Sequence, residues 1–430
     1  MALALGLAAG VALWSTGPAE SDPAWAVRFV RGYSVAWLCY CLAAILVTRA
    51  PRLPRWTLAA IIVIAFGLRA VAIVRTPPLS TDYWRYVWDG RMINAGVNPF
   101  RYRPDAPEVR EPWNPNWRIM NFRNIPTIYP PAAEILFAAL ARARSQDAEV
   151  FRWSFLIFDL ASILALIALL RRTGRVPARV IWYAWCPLPI TEVTAGAHVD
   201  ALGLFLLLLA LLLAARRRGT PGPASALALA AAVFAKGFAV FTVPFFARRG
   251  GWRVLTVAAA ACAVMLAPFL GVGRRLFTGL GQYFGHWETN SSLFFLCNWM
   301  LDAWKVSGHY GITRALSTAA ILAVVVWLTW RQQPGTESLV RATFLALAAV
   351  VLLGAPTLPW YAIWVLPLLC WWPAPGGVLF SFTISMQYYG RWIYPNNYHA
   401  LLWAGYLPVY ALLVGHLAWW RANLRRRSLD

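Results

Sequence analysis

The chain has 430 residues, of which 60% are hydrophobic and only 13% are charged, and its mean hydropathy is +0.55. A soluble domain of this size cannot expose so much apolar surface, so the composition indicates a polytopic membrane protein. The formal net charge is +22, yet the basic residues lie in short runs between apolar segments, which is typical of membrane topology and not of nucleic-acid binding.

Arginine-rich loops predict which side of the membrane each connection occupies, because loops rich in Arg and Lys stay in the cytoplasm. The predicted cytoplasmic segments are residues 49–55, 171–179, 216–218, 248–253, 331–341 and 421–427. Alternation places two long polar loops on the outer side, residues 77–126 and residues 271–309. We therefore predict a single all-α integral membrane domain over residues 1–430, with about ten to twelve crossings.

Two apolar segments do not fit a simple crossing. Residues 128–141 are short against the roughly twenty that a straight crossing needs, so we expect a re-entrant helix or a tilted surface helix. Residues 224–247 carry Lys236 near their middle and arginines at both flanks. Two half-helices that meet at Lys236 and Gly237 would keep both flanks in the cytoplasm, because broken backbone is tolerated at membrane depth where it lines a cavity.

The first outer loop contains a dense group of charged and aromatic residues, STDYWRYVWDGRMINAGVNPFRYRP, at positions 80–104. It follows an apolar run that is long enough to cross a bilayer. Asp82, Arg85 and Asp89 have i, i+3, i+7 spacing, so we expect them to share one face of a helix. We also expect short interfacial helices in this loop. Four tryptophans would rest on the headgroup layer: Trp84, Trp88, Trp113 and Trp117.

Five motifs follow one another along the chain: an Asp in the first outer loop, R-Y-x-W-D-G-R, G-x-N-P-F-x-Y-x-P, T-I-Y-P-P and H-x-D. In this order they resemble the polyprenol-phosphate-sugar-dependent membrane glycosyltransferases of the GT-C fold, in particular the bacterial mannosyltransferase-like branch. The resemblance implies an inverting enzyme that moves a sugar, by default mannose, from a polyprenyl phosphate to a lipid or glycan acceptor. It also implies an active site at the outer face of the bacterial cytoplasmic membrane.

Under this resemblance Asp82 is the catalytic base. A hydroxyl is a poor nucleophile until a positioned base takes its proton. The family often has two adjacent acidic residues at this place, whereas here Thr81 precedes Asp82, which leaves Asp82 as the single candidate. The same position also fits a helix cap after Thr81 or an ion-pair partner for Arg85.

Three cations are candidates for holding the departing phosphate: Arg85, Arg91 and Lys236. Arginine grips phosphate oxygens in a fork and lysine supplies a point charge. Lys236 is a lone cation inside an apolar segment, where charges are costly and typically functional, although a lysine that snorkels to the cytoplasmic face fits the same pattern. Arg85 and Arg91 fit equally well as structural ion-pair partners of Asp82 and Asp89.

The remaining polar candidates are predicted to contact the sugar or the acceptor, because aromatic rings beside hydrogen-bonding groups suit a pyranose. They are Asp89, Tyr129, His198, Asp200, His286, Trp287, Glu288 and Arg391. Tyr129 also fits a purely structural bend before two prolines. The stretch from His286 to Glu288 also fits an ordinary interfacial loop.

The H-x-D pair offers two metal ligands with no third at a fixed spacing, and a lipid monophosphate has no pyrophosphate for a metal to bridge. We therefore expect no metal and no other cofactor. The expected partners are the sugar donor, the acceptor and membrane lipids, and no nucleic acid. The alternative function is a transporter or flippase of lipid-linked saccharides, which would also contain a cavity and intramembrane charges.

Overall fold

The structure is a computed structural model that describes residues 1–15, 23–75, 80–144, 148–388 and 398–427. Over these ranges the chain forms α-helices and short 3-10 helices and contains no β-strand. The α-helices in chain order are α1 (Ala2–Trp14), α2 (Pro23–Arg49), α3 (Thr57–Arg75), α4 (Asp82–Asn94), α5 (Pro115–Ile119), α6 (Pro131–Ala143), α7 (Glu149–Arg172), α8 (Ile181–Ala184), α9 (Pro187–Thr194), α10 (Asp200–Ala215), α11 (Pro223–Ala235), α12 (Val243–Gly250), α13 (Trp252–Leu266), α14 (Thr278–His286), α15 (Leu293–Ala303), α16 (His309–Arg331), α17 (Thr336–Leu353), α18 (Pro375–Thr383) and α19 (Tyr398–Arg427).

Seven segments in the described part of the chain are long and apolar enough to cross a membrane. They lie in α2, α3, α7, the stretch Trp252–His286, α16, α17 and the Leu402–Trp419 part of α19. Shorter apolar helices are α1, α10, α11 and α15. These helices confirm the predicted fold class, an all-α polytopic membrane protein.

The core is built around α10, whose sequence DALGLFLLLLALLLAA is apolar around its whole circumference. A helix of this kind is stable only when it is buried on most sides, and α10 packs against both α7 and α11. In turn α11 contacts α6, and α6 packs against α4. This series of contacts brings together the start of α4 at Asp82, the start of α10 at Asp200 and the end of α11 at Ala235, beside Lys236.

The close contact between α4 and α6 depends on Gly90. A Cβ atom added there would lie 2.2 Å from the carbonyl oxygen of Phe137, which is closer than any side chain tolerates. The glycine in the W-D-G-R motif therefore lets the two helices approach, and this approach fixes the orientation of α4.

A buried ion pair joins α3 to α7. Arg69 Nε lies 2.5 Å from Asp159 Oδ2, and neither residue has exposed surface. The Tyr183 hydroxyl donates to the other carboxylate oxygen, and Arg69 also donates to the carbonyl of Ala184. Each of these contacts joins a helix to the core, so we assign a structural role to the buried pair of Arg69 and Asp159.

Both irregular segments resemble what the sequence predicts. The α6 helix has 13 residues, which at a rise of 1.5 Å per residue is too short for a hydrocarbon layer of about 30 Å. The break at Lys236 is confirmed: α11 ends before it, Lys236 has extended backbone angles, and a 3-10 helix, Gly237–Thr242, leads into α12.

Both predicted outer loops contain helices. Residues 77–126 contain α4 and α5, in line with the expected short helices, and residues 271–309 contain α14 and α15. The expectation for Trp88 is wrong, because its ring is only 3% exposed and packs with Met92 and Met120. Its place in the W-D-G-R motif puts it on the face of α4 that the loop covers. Trp113, by contrast, is exposed.

Candidate active site

Asp82 is the first residue of α4, and Thr81 occupies the position before the helix without a side-chain capping bond. The Asp82 backbone N–H donates to Ser80 Oγ at 3.1 Å. Arg85 pairs with Asp89 instead of Asp82. Neither structural alternative for Asp82, the cap or the pair with Arg85, is therefore present in the structure.

The Asp82 side chain lines an open cavity with about 480 Å³ of empty space, counting its mouth. Residues from distant parts of the chain contribute to its wall, including the first outer loop, the break after α11 and the 3-10 helix Pro359–Trp364. The lining residues are Asp82, Arg85, Asn121, Phe122, Ile125, Ile128, Tyr129, Lys236, Trp287, Leu358, Trp360 and Tyr361.

Lys236 presents its ammonium group to this cavity. Its Nζ lies 3.0 Å from Asp200 Oδ2. It also lies 5.6 Å from the ring centre of Tyr129 and 5.5 Å from that of Tyr361, within the range of a cation–π contact. Trp364 Nε1 donates to the other oxygen of Asp200 at 2.6 Å. A lysine held in this way does not snorkel to the cytoplasmic face.

Arg85 is fixed along one edge and open along the other. Its Nε lies 3.0 and 3.1 Å from the two oxygens of Asp89, and its Nη1 donates to the carbonyls of Phe122 and Ile125. Its Nη2 is buried without a hydrogen-bond partner among the described residues. Because Arg85 lines the cavity, this nitrogen can donate to an anion bound there.

Glu134 lies behind this pair and is a buried carboxyl that the sequence analysis did not single out. Its Oε1 accepts a hydrogen bond of 2.6 Å from Thr127. Burial, followed by the neighbouring Asp89, raises the pKa of Glu134 well above its usual range. Burial also raises the pKa of Asp89, although Arg85 lowers it. The available signal was a lone Glu in the otherwise apolar stretch of residues 131–141.

Arg91 does not line the cavity. Its two terminal nitrogens donate to the two oxygens of Glu111 at 3.0 and 2.8 Å. The pair lines a separate cleft, whose other walls include Trp84, Trp88 and Trp117. The structure therefore places Arg91 on a different face of α4 from Asp82 and Arg85, and its predicted contact with phosphate stays a prediction.

His198 lies directly beside Asp82. Its Nδ1 is 3.9 Å from Asp82 Oδ2 and its Nε2 is 3.6 Å from Glu192 Oε2. The ring stacks on Trp360 with a centroid distance of 3.7 Å. Burial, followed by the charge of Lys236, lowers the pKa of His198 well below its usual range, so the imidazole is neutral.

Asp82 itself is 20% exposed and faces the cavity. Burial raises the pKa of this carboxyl above its usual range, although the charge of Lys236 and a hydrogen bond from Asn121 lower it. A raised pKa makes the carboxylate a stronger base. Asp82 is thus the cavity-lining carboxyl best suited to take a proton from a hydroxyl.

The second outer loop contributes Trp287, whose ring lies 4.1 Å from that of Phe122 at the cavity wall. Its two neighbours do not line the cavity: His286 is exposed, and Glu288 accepts a hydrogen bond from Ser291. Arg391 lies outside the described residues. Tyr129 does line the cavity, where Lys236 faces its ring.

Several cavity residues from the loops and the last third of the chain were not predicted from the sequence. These are Asn121, Phe122, Trp360 and Tyr361. The usable signal for the last two was the T-L-P-W-Y stretch between apolar runs, at residues 357–361. Among the described residues, no group of three or more His, Cys, Asp or Glu is arranged to hold a metal ion. Metal independence stays a prediction.

Comparison with known families gives two matches along the chain. Residues 5–249 match the family model described as alpha-(1->6)-mannopyranosyltransferase, N-terminal domain, and residues 292–422 match the MptB C-terminal domain. No curated protein matches the chain. Together with the helical membrane fold, the two family matches confirm the resemblance to the mannosyltransferase-like branch of the GT-C glycosyltransferases. Since the first match alone covers more than half of its length, the chain belongs to the alpha-(1->6)-mannopyranosyltransferase family.

Proposed function

We propose that the protein transfers mannose, with inversion, from a polyprenyl phosphate to a hydroxyl group of a glycan or lipid acceptor. Membership of the family establishes a mannosyltransferase. The donor class and the course of the reaction are proposed from the cavity. The observation that carries the proposal is that one cavity presents a carboxylate, Asp82, together with two cations, Lys236 and Arg85.

These groups match the charges that move during such a transfer. The acceptor oxygen forms a bond to the anomeric carbon as its proton passes to the Asp82 carboxylate. The bond between the anomeric carbon and the phosphate oxygen breaks, and its electron pair leaves with the phosphate. Lys236 Nζ and Arg85 Nη2, which has no hydrogen-bond partner among the described residues, stabilise that negative charge. Each reacting group therefore has a partner of the required sign.

Direct attack from the face opposite the phosphate inverts the anomeric carbon, which passes through an oxocarbenium-like state. The family description specifies an α-(1→6) linkage in the product. Inversion then requires a donor in which mannose is β-linked to the phosphate. The proposal can therefore be tested by comparing donors that differ only in the anomeric configuration of mannose.

The rest of the cavity fits a sugar bound to a lipid. Trp287, Phe122 and Tyr361 line it with aromatic rings that can stack on the apolar face of a pyranose. Asn121 adds an amide that can hydrogen-bond hydroxyl groups. The aromatic lining therefore supports binding of the sugar between the base and the cations.

We place the reaction at the outer face of the bacterial cytoplasmic membrane. The support is the arrangement of arginine-rich segments, which leaves the loop that contains Asp82 on the opposite side from them. An enzyme on that side has no access to cytoplasmic nucleotide sugars, which favours a lipid-linked donor. The two cations of the cavity supply the positive charge for the leaving group, so we propose that the transfer needs no metal.

The experiment is transfer by the purified protein in lipid nanodiscs, with radiolabelled mannose on a polyprenyl phosphate and a short α-mannoside as the acceptor. Product from the β-linked donor, with an α linkage by NMR, supports the proposal. Product from GDP-mannose in place of the lipid donor, or from the α-linked donor, contradicts it. Movement of intact lipid-linked sugar across a vesicle membrane without transfer would identify a flippase instead.

A further inference from the structure

His198 is a buried imidazole between two carboxyl groups. Its side chain is 1% exposed, with Nδ1 facing Asp82 Oδ2 at 3.9 Å and Nε2 facing Glu192 Oε2 at 3.6 Å. Both distances exceed a hydrogen bond, and neither nitrogen has a hydrogen-bond partner among the described residues. A buried polar atom without a partner is costly and calls for a functional or structural explanation.

The backbone before His198 is shaped to hold the ring in this place. Ala197 has a φ of 52°, in the left-handed region that a residue with a Cβ rarely adopts. A Cβ atom on Gly196 would lie 2.6 Å from His198 Cδ2 and 2.8 Å from Nε2. Strained backbone of this kind persists where the surrounding structure fixes it, and it is concentrated at functional sites.

The flat face of the imidazole is fixed as well. The ring of Trp360 stacks on it at 3.7 Å with an interplanar angle of 16°. Trp360 also lines the cavity, so the stacked pair forms part of the wall beside Asp82. Rotation of the imidazole would break the stacking on Trp360. The stacking therefore fixes the plane of the ring.

The opposite carboxyl is fixed from behind. Tyr388 donates its hydroxyl to both oxygens of Glu192, at 3.1 and 2.9 Å. Glu192 has no exposed surface. Its backbone carbonyl accepts a hydrogen bond from the His198 N–H at 3.4 Å. Glu192 therefore contacts His198 through both its backbone and its side chain, and it sets the position of the ring relative to α9.

We propose that His198 is a positioning residue for the transfer: its Nδ1–H donates to Asp82 Oδ2 in the substrate complex, while Glu192 holds Nε2. A shift of the Asp82 carboxylate by about 1 Å toward the ring closes the 3.9 Å gap to a hydrogen bond and leaves the ring beside Glu192. With Oδ2 engaged, Oδ1 is the oxygen that takes the proton of the acceptor. The inference rests on the proposed function only in that Asp82 is the base.

The neutral state of the ring supports this assignment. A neutral imidazole has one N–H and one lone pair, and the hydrogen bond at one nitrogen decides which form the other takes. An ionised carboxylate oxygen can only accept a hydrogen bond, so the proton that faces Asp82 Oδ2 belongs on Nδ1. Glu192, in its protonated form, is then the group that donates to the lone pair of Nε2. The other charged groups that act on Asp82 are Lys236 and Asp200.

The first test compares substitutions of His198 in the nanodisc assay. His198→Asn keeps an N–H close to the Nδ1 position, whereas His198→Leu removes it. We expect His198→Leu to lower kcat about 100-fold, the loss that follows from a misplaced catalytic group, with little change in the KM for the donor. His198→Asn should recover most of this loss. A purely structural role would give the two variants the same kcat.

The second test displaces the ring and the backbone that holds it by a change outside His198, because a Cβ on Gly196 would lie 2.5 Å from the Glu192 carbonyl oxygen and 2.6 Å from His198 Cδ2. Gly196→Ala forces the imidazole away from its place, while Gly67→Ala is the matched control because a Cβ there meets nothing within 4 Å. We expect a lower kcat for Gly196→Ala and an unchanged kcat for Gly67→Ala. This variant keeps the inference testable if His198→Leu does not fold.

A third comparison addresses Glu192. Glu192→Gln retains a donor toward Nε2 and should keep most of the activity, whereas Glu192→Leu should lose about as much as His198→Leu. Wild-type kcat in both His198→Leu and Gly196→Ala overturns the inference, as does a His198→Asn variant as slow as His198→Leu. If Asp82→Asn keeps its activity, the base assignment in the proposed function has failed instead, so the two failures are distinguishable.

Discussion

Lys236 Nζ lies 3.0 Å from Asp200 Oδ2, directly after the point where α11 ends. The break in the helix turns the ammonium group toward the cavity, and Asp200 neutralises its charge in the absence of substrate. Trp364 holds Asp200 in place from the other side. The ion pair thus maintains a buried cation at a position where a phosphate can bind without moving the helices.

The first prediction concerns Lys236 as a ligand of the leaving group. Lys236→Met should lower kcat/KM about 100-fold, because a preorganised charge that stabilises a leaving group is lost. The measurement is the initial rate of transfer at several donor concentrations. Lys305→Met is the matched control, since Lys305 is exposed after α15. Equal rates for the two variants would remove Lys236 from the mechanism.

The second prediction concerns the pH dependence of the same variant. Lys236 lowers the pKa of Asp82, so its removal must raise that pKa. Asp82 accepts a proton only when it is ionised, and the acid limb of kcat/KM follows its ionisation. The limb should therefore move to higher pH in Lys236→Met. A limb that stays in place or moves to lower pH would contradict the assignment.

The third prediction concerns stability. Arg85→Met leaves Asp89 buried beside Glu134 without its cation, which should lower the free energy of unfolding by about 3 kcal/mol. Arg103→Met breaks a pair whose side chains are 55% and 35% exposed, and should cost less than about 1 kcal/mol. The free energy of unfolding of both variants is measured in mixed detergent micelles. Similar losses of unfolding free energy in the two variants would show that the buried pair of Arg85 and Asp89 stabilises the fold no more than the exposed pair does.

The fourth prediction concerns metal ions. Transfer should continue unchanged after the protein is treated with a chelator and dialysed, because Lys236 and Arg85 supply the positive charge at the leaving phosphate. The measurement compares initial rates before and after treatment. Activity that is lost and then restored by a divalent cation would show that the cavity binds a metal.

Much of the fold follows from local sequence patterns. Long apolar runs between arginine clusters predict the helices, and a charge in the middle of an apolar segment predicts the break at Lys236. The spacing of Asp82, Arg85 and Asp89 correctly predicts a helix, and Arg85 does pair with a carboxylate. These features depend on neighbours in sequence, which is why they can be read without a structure.

The partners in the site depend on tertiary packing instead. The sequence does not show that Arg91 contacts Glu111 or that His198 lies beside Asp82, because these contacts join separate helices and loops. The T-L-P-W-Y stretch marks a break between apolar runs, but the sequence does not show that Trp360 and Tyr361 lie in the wall of the cavity. Trp88 was predicted to lie at the membrane interface because the sequence does not show that the loop residue Met120 packs against its ring.

The central claim is that Asp82 removes the proton of the acceptor. The most direct measurement is the single-turnover rate of Asp82→Asn with saturating β-linked polyprenyl-phosphate mannose, beside Asp105→Asn as a control in the same loop. The proposed mechanism predicts a rate at least about 1,000-fold below wild type for Asp82→Asn, with donor binding retained and the control unaffected. An Asp82→Asn protein that transfers mannose at half the wild-type rate or more would contradict it.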